Sequence, residues 1–153
     1  MNLVVDSNIA FSAMLNTDSQ IAQLLIHSAN HLQFFSIEYL KVEIDTHKDK
    51  ILKYAKYDSG EFRFVKELIF SKIIFIDEAI IPQRTVNEAI KIMTGGDIDD
   101  TYFVALTKML NATLWTGDKE LTAWLAPFNY IETISTNELY LALKAIEARK
   151  KRQ

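Results

Sequence analysis

Asp6, Glu43, Asp100 and Asp118 are scattered along the 153-residue chain, yet each falls where a strand of a parallel α/β sheet would end or a helix would begin. Carboxylates gathered at one sheet edge form a set of hard oxygen donors. Such a set suits Mg²⁺ or Mn²⁺, and Mg²⁺ in particular takes one or two carboxylates directly and keeps several waters. The chemistry on offer is Lewis-acid activation of a bound water, with one or two ions sharing the site.

The positions follow from the local sequence. In Leu3-Val4-Val5-Asp6-Ser7-Asn8 an apolar triplet breaks into polar residues, which puts Asp6 at a strand tip, in the crevice where open α/β sheets collect ligands. Leu114-Trp115-Thr116-Gly117-Asp118 repeats the pattern, with a glycine free to take a positive φ before the carboxylate. Asp99 and Asp100 open a helix, where carboxylates complement the macrodipole. Asp99 is expected to cap that helix and Asp100 to face the crevice, although a shift of one residue would exchange their roles. Glu43 shares a helix face with Leu40, Ile44 and His47, so it is directed to a cleft edge, with His47 no closer than a supporting position.

The elements that must hold these residues are legible from periodicity. Strands are expected at residues 3–5, Leu32–Phe35, Ile73–Ile76, Ala112–Trp115 and Tyr130–Ile134. Helices are expected over Ile21–Ser28, from a Ser36 cap to about Lys56, from an Asp58 or Ser59 cap to Lys72, from Pro82 to Met93, over Asp99–Leu110 with Asn111 as a left-handed C-cap, over Lys119–Leu125, and after a Thr136 cap. Thr94-Gly95-Gly96 reads as a stop. Strands separated by helices argue a single domain over 1–153 with a mainly parallel sheet of about five strands covered on both faces. The basic end after Ala148 is expected to fray.

Composition narrows the partners. The chain has no cysteine, so disulfides and thiolate zinc sites are unavailable and a reducing, cytoplasmic compartment is expected. No signal-peptide pattern and no bilayer-spanning run is present, so no membrane partner is expected. The net charge of −3 lacks the basic excess of a dedicated nucleic-acid binder. Lysines at 41, 48, 50, 53 and 56, and the run Arg149-Lys150-Lys151-Arg152, nevertheless supply local positive charge. A polyanion would be held by Lys48 and Lys50, helped by that C-terminal run.

Three blocks in order resemble the PIN-domain ribonucleases: Val4-Val5-Asp6-Ser7-Asn8; Val42-Glu43-Ile44 within a helix; and Asp99-Asp100-Thr101-Tyr102-Phe103-Val104-Ala105-Leu106 followed by Leu114-Trp115-Thr116-Gly117-Asp118-Lys119-Glu120-Leu121. The likeness runs over nearly the whole chain. It implies a three-layer α/β/α sandwich, with Asp6, Glu43, Asp100 and Asp118 as the metal-binding quartet and Asn8 and Thr116 as polar neighbours of the site. It also implies divalent-metal-dependent cleavage of single-stranded or structured RNA, a homodimer, and the toxin role in a toxin–antitoxin pair, with an antitoxin protein as partner.

Two other readings compete. A haloacid-dehalogenase-type phosphatase would also place an Asp after strand one but would want a second Asp two residues on, where this chain has Asn8. A noncatalytic RNA- or partner-binding module could keep the same fold. Dinucleotide binding is excluded, because no glycine precedes Gly60.

Overall fold

A computed structural model describes residues 1–153. Five strands form one sheet, in the order β3-β2-β1-β4-β5: β1 (Asn2–Val5), β2 (Gln33–Ile37), β3 (Ile73–Ile76), β4 (Thr113–Trp115) and β5 (Glu132–Ile134). Every pairing is parallel. The chain moves from β1 outward to β3, then crosses back over the sheet to β4 on the other side of β1. The strand order therefore reverses between β1 and β4, and a crevice opens at their carboxyl ends.

Nine helices cover the sheet. On one face α1 (Ser7–Leu15) gathers α2 (Gln20–His27), α3 (Tyr39–Thr46), α4 (Lys48–Ala55) and α5 (Ser59–Phe70) around it. On the other face α7 (Thr101–Leu110) lies across β1, β2 and β4, with α6 (Gln83–Met93) beside it. Next, α8 (Lys119–Leu125) links β4 to β5, and α9 (Thr136–Lys151) returns to pack on α2. The result is a three-layer α/β/α sandwich with an all-parallel sheet. Its core is continuous, from Leu3, Val4 and Val5 of β1 through Trp115 and Phe103 to Ile9, Ile44 and Ile69 of the outer helices. No helix is long and apolar enough to cross a membrane.

Local differences from the sequence reading have physical causes. Helix α1 buries Ile9, Ala10, Ala13 and Met14 on one face, but the half-buried Phe11 and Leu15 outside that face hide the stripe in the sequence. Ser36 is not a helix cap. It belongs to β2, where its buried hydroxyl donates to the Val5 carbonyl at 2.8 Å. The expected single helix from 36 to 56 is two, broken at His47. The last helix is capped by Ser135, in a capping box with Glu138, instead of by Thr136, whose hydroxyl accepts from the Trp115 indole at 3.1 Å. Asn111 takes the expected left-handed C-cap with φ 48°. The basic end does not fray at 148, since α9 continues through Lys151, where cations complement the helix dipole.

Removing the Ser36 hydroxyl strips a buried carbonyl of a partner next to the crevice. Ser36→Ala is expected to cost about 1 kcal/mol, read as a lower urea midpoint at unchanged slope.

Candidate active site

Four elements converge on the crevice. Asp6 follows β1 and caps α1: its Oδ1 accepts the Ile9 amide at 2.9 Å, and its Oδ2 accepts the Thr116 hydroxyl. Thr116 follows β4, and its oxygen in turn accepts the Asp118 amide at 3.0 Å. Asp118 caps α8, with Oδ1 accepting the amides of Glu120 at 2.9 Å and Leu121 at 3.1 Å. One threonine hydroxyl thus ties together the chain segments that carry the two strand-end carboxylates.

Asp100 closes a 3₁₀ turn, Ile98–Asp100, and stands at the start of α7 with no capping bond from its side chain. The turn is capped by Asp97, which accepts the Asp99 amide at 3.0 Å, so the capping role expected of Asp99 belongs to Asp97. Asp100 and Asp97 share a cavity of about 270 Å³ with Asp118, Glu120 and Trp124. Asp99 points elsewhere, into a smaller opening with Glu43, His47 and Tyr39. Glu43 lies on α3 in a groove with Ser7, Asn8 and His47.

The electrostatics show what this convergence costs. Burial pushes the Asp6 carboxyl up to about 6; the Thr116 hydroxyl and Ile9 amide oppose the rise, and the Asp118 charge adds to it. Asp100 is pushed up to about 7, first by burial and then by the charges of Asp97, Asp6, Asp118 and Glu43. Glu43 is raised by burial, held down by Ser7 and by the positive influence of His47, and raised again by Asp99 and Asp97. Asp6, Asp118 and Glu43 all act on Asp100, and Asp118 acts on Asp6, whereas the carboxylates that act on Glu43 are Asp99 and Asp97.

No three acidic or histidine side chains form a ready-made coordination sphere. Each strand-end carboxylate is instead held back by its own helix cap. The donor chemistry still fits a hard divalent cation: the converging groups are carboxylate oxygens, and burial first, then neighbouring carboxylate charge, makes two of them retain protons.

The family follows from this chain's sequence as a whole: the PIN domain profile matches residues 4–142. The chain belongs to the PIN domain family. PIN domains are generally nucleases that use divalent metals. No curated protein matches the sequence significantly. Among solved structures, VapBC2 from Rickettsia felis, bound to a DNA fragment from the promoter, resembles it with a TM-score of 0.68 at 14% identity, over 88% of this chain and 98% of that one. PAE2754 from Pyrobaculum aerophilum does so with a TM-score of 0.65 at 15% identity, over 95% and 90%. The phosphatase alternative is displaced by the family match.

The basic residues divide. Lys50 lines the groove beside Glu43, while Lys48, two positions away on the helix, turns its Nζ to within 5.7 Å of the Phe62 ring on α5. Lys150 and Lys151 sit beside His31, which precedes β2, at the amino end of the sheet and opposite the carboxylates. The C-terminal run is therefore remote from this site.

The sequence reading missed a clasp. Trp124 of α8 lies over Gly95 and Gly96 and donates its indole N–H to the Ile92 carbonyl at 2.8 Å, joining the Asp118-bearing helix to the loop that leads to Asp97 and Asp100. The available signal was the glycine pair itself, two of only four glycines, placed just before an acidic run.

Two outcomes follow. A carboxyl that holds its proton more tightly folded than unfolded loses stability as pH rises, here from near 4 through about 6 for Asp6. In EDTA, the stability difference between wild type and Asp6→Asn should move in favour of the variant between pH 4 and pH 8 by about 3 kcal/mol, at 1.4 kcal/mol per pH unit; a difference that stays flat in urea titrations would disprove it. Gly95 has φ 94°, and an added Cβ would sit 3.1 Å from Trp124. Gly95→Ala should then cost about 1–3 kcal/mol by thermal denaturation.

Proposed function

We propose that this chain is a divalent-metal-dependent endoribonuclease that hydrolyses phosphodiester bonds of RNA, and that it is the toxin of a toxin–antitoxin pair. The observation that carries the reading is the crevice at the strand-order reversal, where Asp6 and Asp118 are joined through Thr116 and Asp100 shares their field. Membership of a family of nucleases supports the reaction class. The likeness to VapBC2, a toxin–antitoxin complex, supports a protein antitoxin as partner. A homodimer acting in the cytoplasm completes the proposal.

Asp6, Asp100, Asp118 and Glu43 would hold Mg²⁺ or Mn²⁺. When bound, the ion neutralises phosphate charge and lowers the pKa of its water, making a nucleophile at neutral pH. The chain's own groups prepare for that. Thr116 fixes the Asp6 carboxylate in orientation, and the Glu120 and Leu121 amides do the same for Asp118. Asp100 keeps its side chain free of caps and able to give up a proton near pH 7. Asn8 and His47 line the groove beside Glu43 and offer polar groups to the substrate. A noncatalytic module would have no use for two destabilised carboxylates at one edge.

Gel assays on single-stranded RNA with Mn²⁺ test the reading. Cleavage should appear with wild type, vanish with EDTA and with Asp118→Asn, and fall further for Asp100→Asn than for Asp99→Asn. Thr116→Val, which unties the two strand-end segments, should lose roughly 10–100-fold in activity or metal affinity. Cleavage that survives EDTA would refute the metal dependence. A small reading frame beside this one would mark the antitoxin.

A further inference from the structure

The groove that meets Glu43 extends away from the other carboxylates, and the hydrolytic step needs only its near end. Its volume is about 220 Å³. Ser7, Asn8 and Phe11 come from α1, spaced so that they share a helix face; Glu43, His47 and Lys50 come from the α3–α4 pair, each roughly one turn beyond the last. The opening is therefore a slot between two helix faces, acidic where Glu43 adjoins the crevice and cationic where Lys50 ends it.

An aromatic ring lies between these ends. Phe11 is met edge-on by His47, with centroids 6.0 Å apart and planes at 76°, and the Lys50 Nζ stands 5.6 Å from its centroid. An aromatic flanked by a lysine and a histidine is the combination that single-stranded nucleic acids use, bases packing on rings while cations take the backbone. The slot is smaller than the roughly 300–1,000 Å³ of drug-sized sites, so it takes one ring system and no base pair. Only two of its seven lining residues are hydrophobic. That is a poor receptacle for the apolar face of a partner helix.

We infer that this groove is the subsite for the nucleotide adjoining the scissile phosphate of a single-stranded RNA. The base packs against Phe11 and His47, the exposed Asn8 amide offers a donor and an acceptor to its edge, and the outer phosphate rests on Lys50. The inference deepens the ribonuclease reading and rests on it for the placement of the scissile phosphate.

The experiment separates binding from cleavage. Short single-stranded RNAs carrying 2-aminopurine at successive positions are titrated against the protein in EDTA, where hydrolysis is off, and fluorescence and affinity are followed across a salt series. Wild type should change the fluorescence at one position more than at its neighbours, and the duplex form should show no such effect. Lys50→Gln, an exposed and fold-neutral change, should lower the log–log salt slope by about 0.7 while Lys48→Gln leaves it unaltered. Phe11→Leu, checked by its melting curve, should abolish the position-specific signal. Position-independent fluorescence, or a Lys50→Gln slope equal to wild type, overturns the subsite even if RNA is cleaved with Mn²⁺. The subsite stands and the nuclease reading falls if the signal appears but no metal supports cleavage. Loss of binding to a co-expressed small protein, with RNA binding intact in both variants, would assign the groove to that protein and overturn the inference.

Discussion

A carboxylate buried at the point where the sheet reverses its strand order is the constraint to which the rest of this molecule answers. Asp6 is 3% exposed, and the chain supplies it with one backbone amide and one hydroxyl but no cation. One donor is local and the other comes from 110 residues away. The Ile9 amide is available because the chain turns at once into α1, and the Thr116 hydroxyl is available because β4 pairs with β1 with Val5 opposite Trp115. A slip of one residue in that pairing would carry Thr116 to the other face and leave the carboxylate without its partner. The register of the central strands and the geometry of the site are one specification.

The cost of the acidic edge is met elsewhere. A buried, unpaired charge is unfavourable, and here the charge is accommodated by proton retention at Asp6 and Asp100. The surrounding fold can tolerate this because the core beneath the edge is continuous and apolar, with Trp115, Phe103 and Phe34 packed close under the site and the Phe34 and Trp115 rings 5.6 Å apart. The Trp124 clasp adds a contact where the Asp100 loop leaves α6 through a glycine pair.

Much of the site was legible because its chemistry coincides with punctuation in the sequence. Asp6 and Asp118 end short apolar runs, and strand ends are the easiest boundaries to read. Asp100 could be preferred over Asp99 because its helix start points into the crevice, a preference that the register of the resemblance reinforced. Its companion's position became plain once Asp97 proved to be the residue capping the turn, a bond that depends on backbone geometry no periodicity reveals. Helix α1 was illegible for the opposite reason: apolar residues outside its buried face, Phe11 and Leu15 among them, blur the period. Ser36 misled because a serine before a helical stretch is the usual signal of a cap, while its hydroxyl here serves the neighbouring strand. The lysines misled because charge was counted along the chain, and helical rotation sends Lys48 and Lys50 to different surfaces.

The arrangement of charge also constrains the direction from which a polyanion reaches the edge. On the Trp124 side the cavity carries Asp97, Asp100, Asp118 and Glu120 and no basic residue, so a phosphate entering there meets only repulsion until a cation is bound. On the α1 side Lys50 and His47 face the opening beyond Glu43. Lys150 and Lys151 lie at the far end of the sheet, further from either opening than the roughly 10 Å over which exposed charges are felt at ordinary ionic strength, given the length of the strands between. On the proposed ribonuclease reading, a strand of RNA would enter along α1 and meet the carboxylates at Glu43 before Asp100 and Asp118. The two halves of the acidic edge are chemically unequal: one opens beside Lys50, and the other is lined by carboxylates with no basic residue among them.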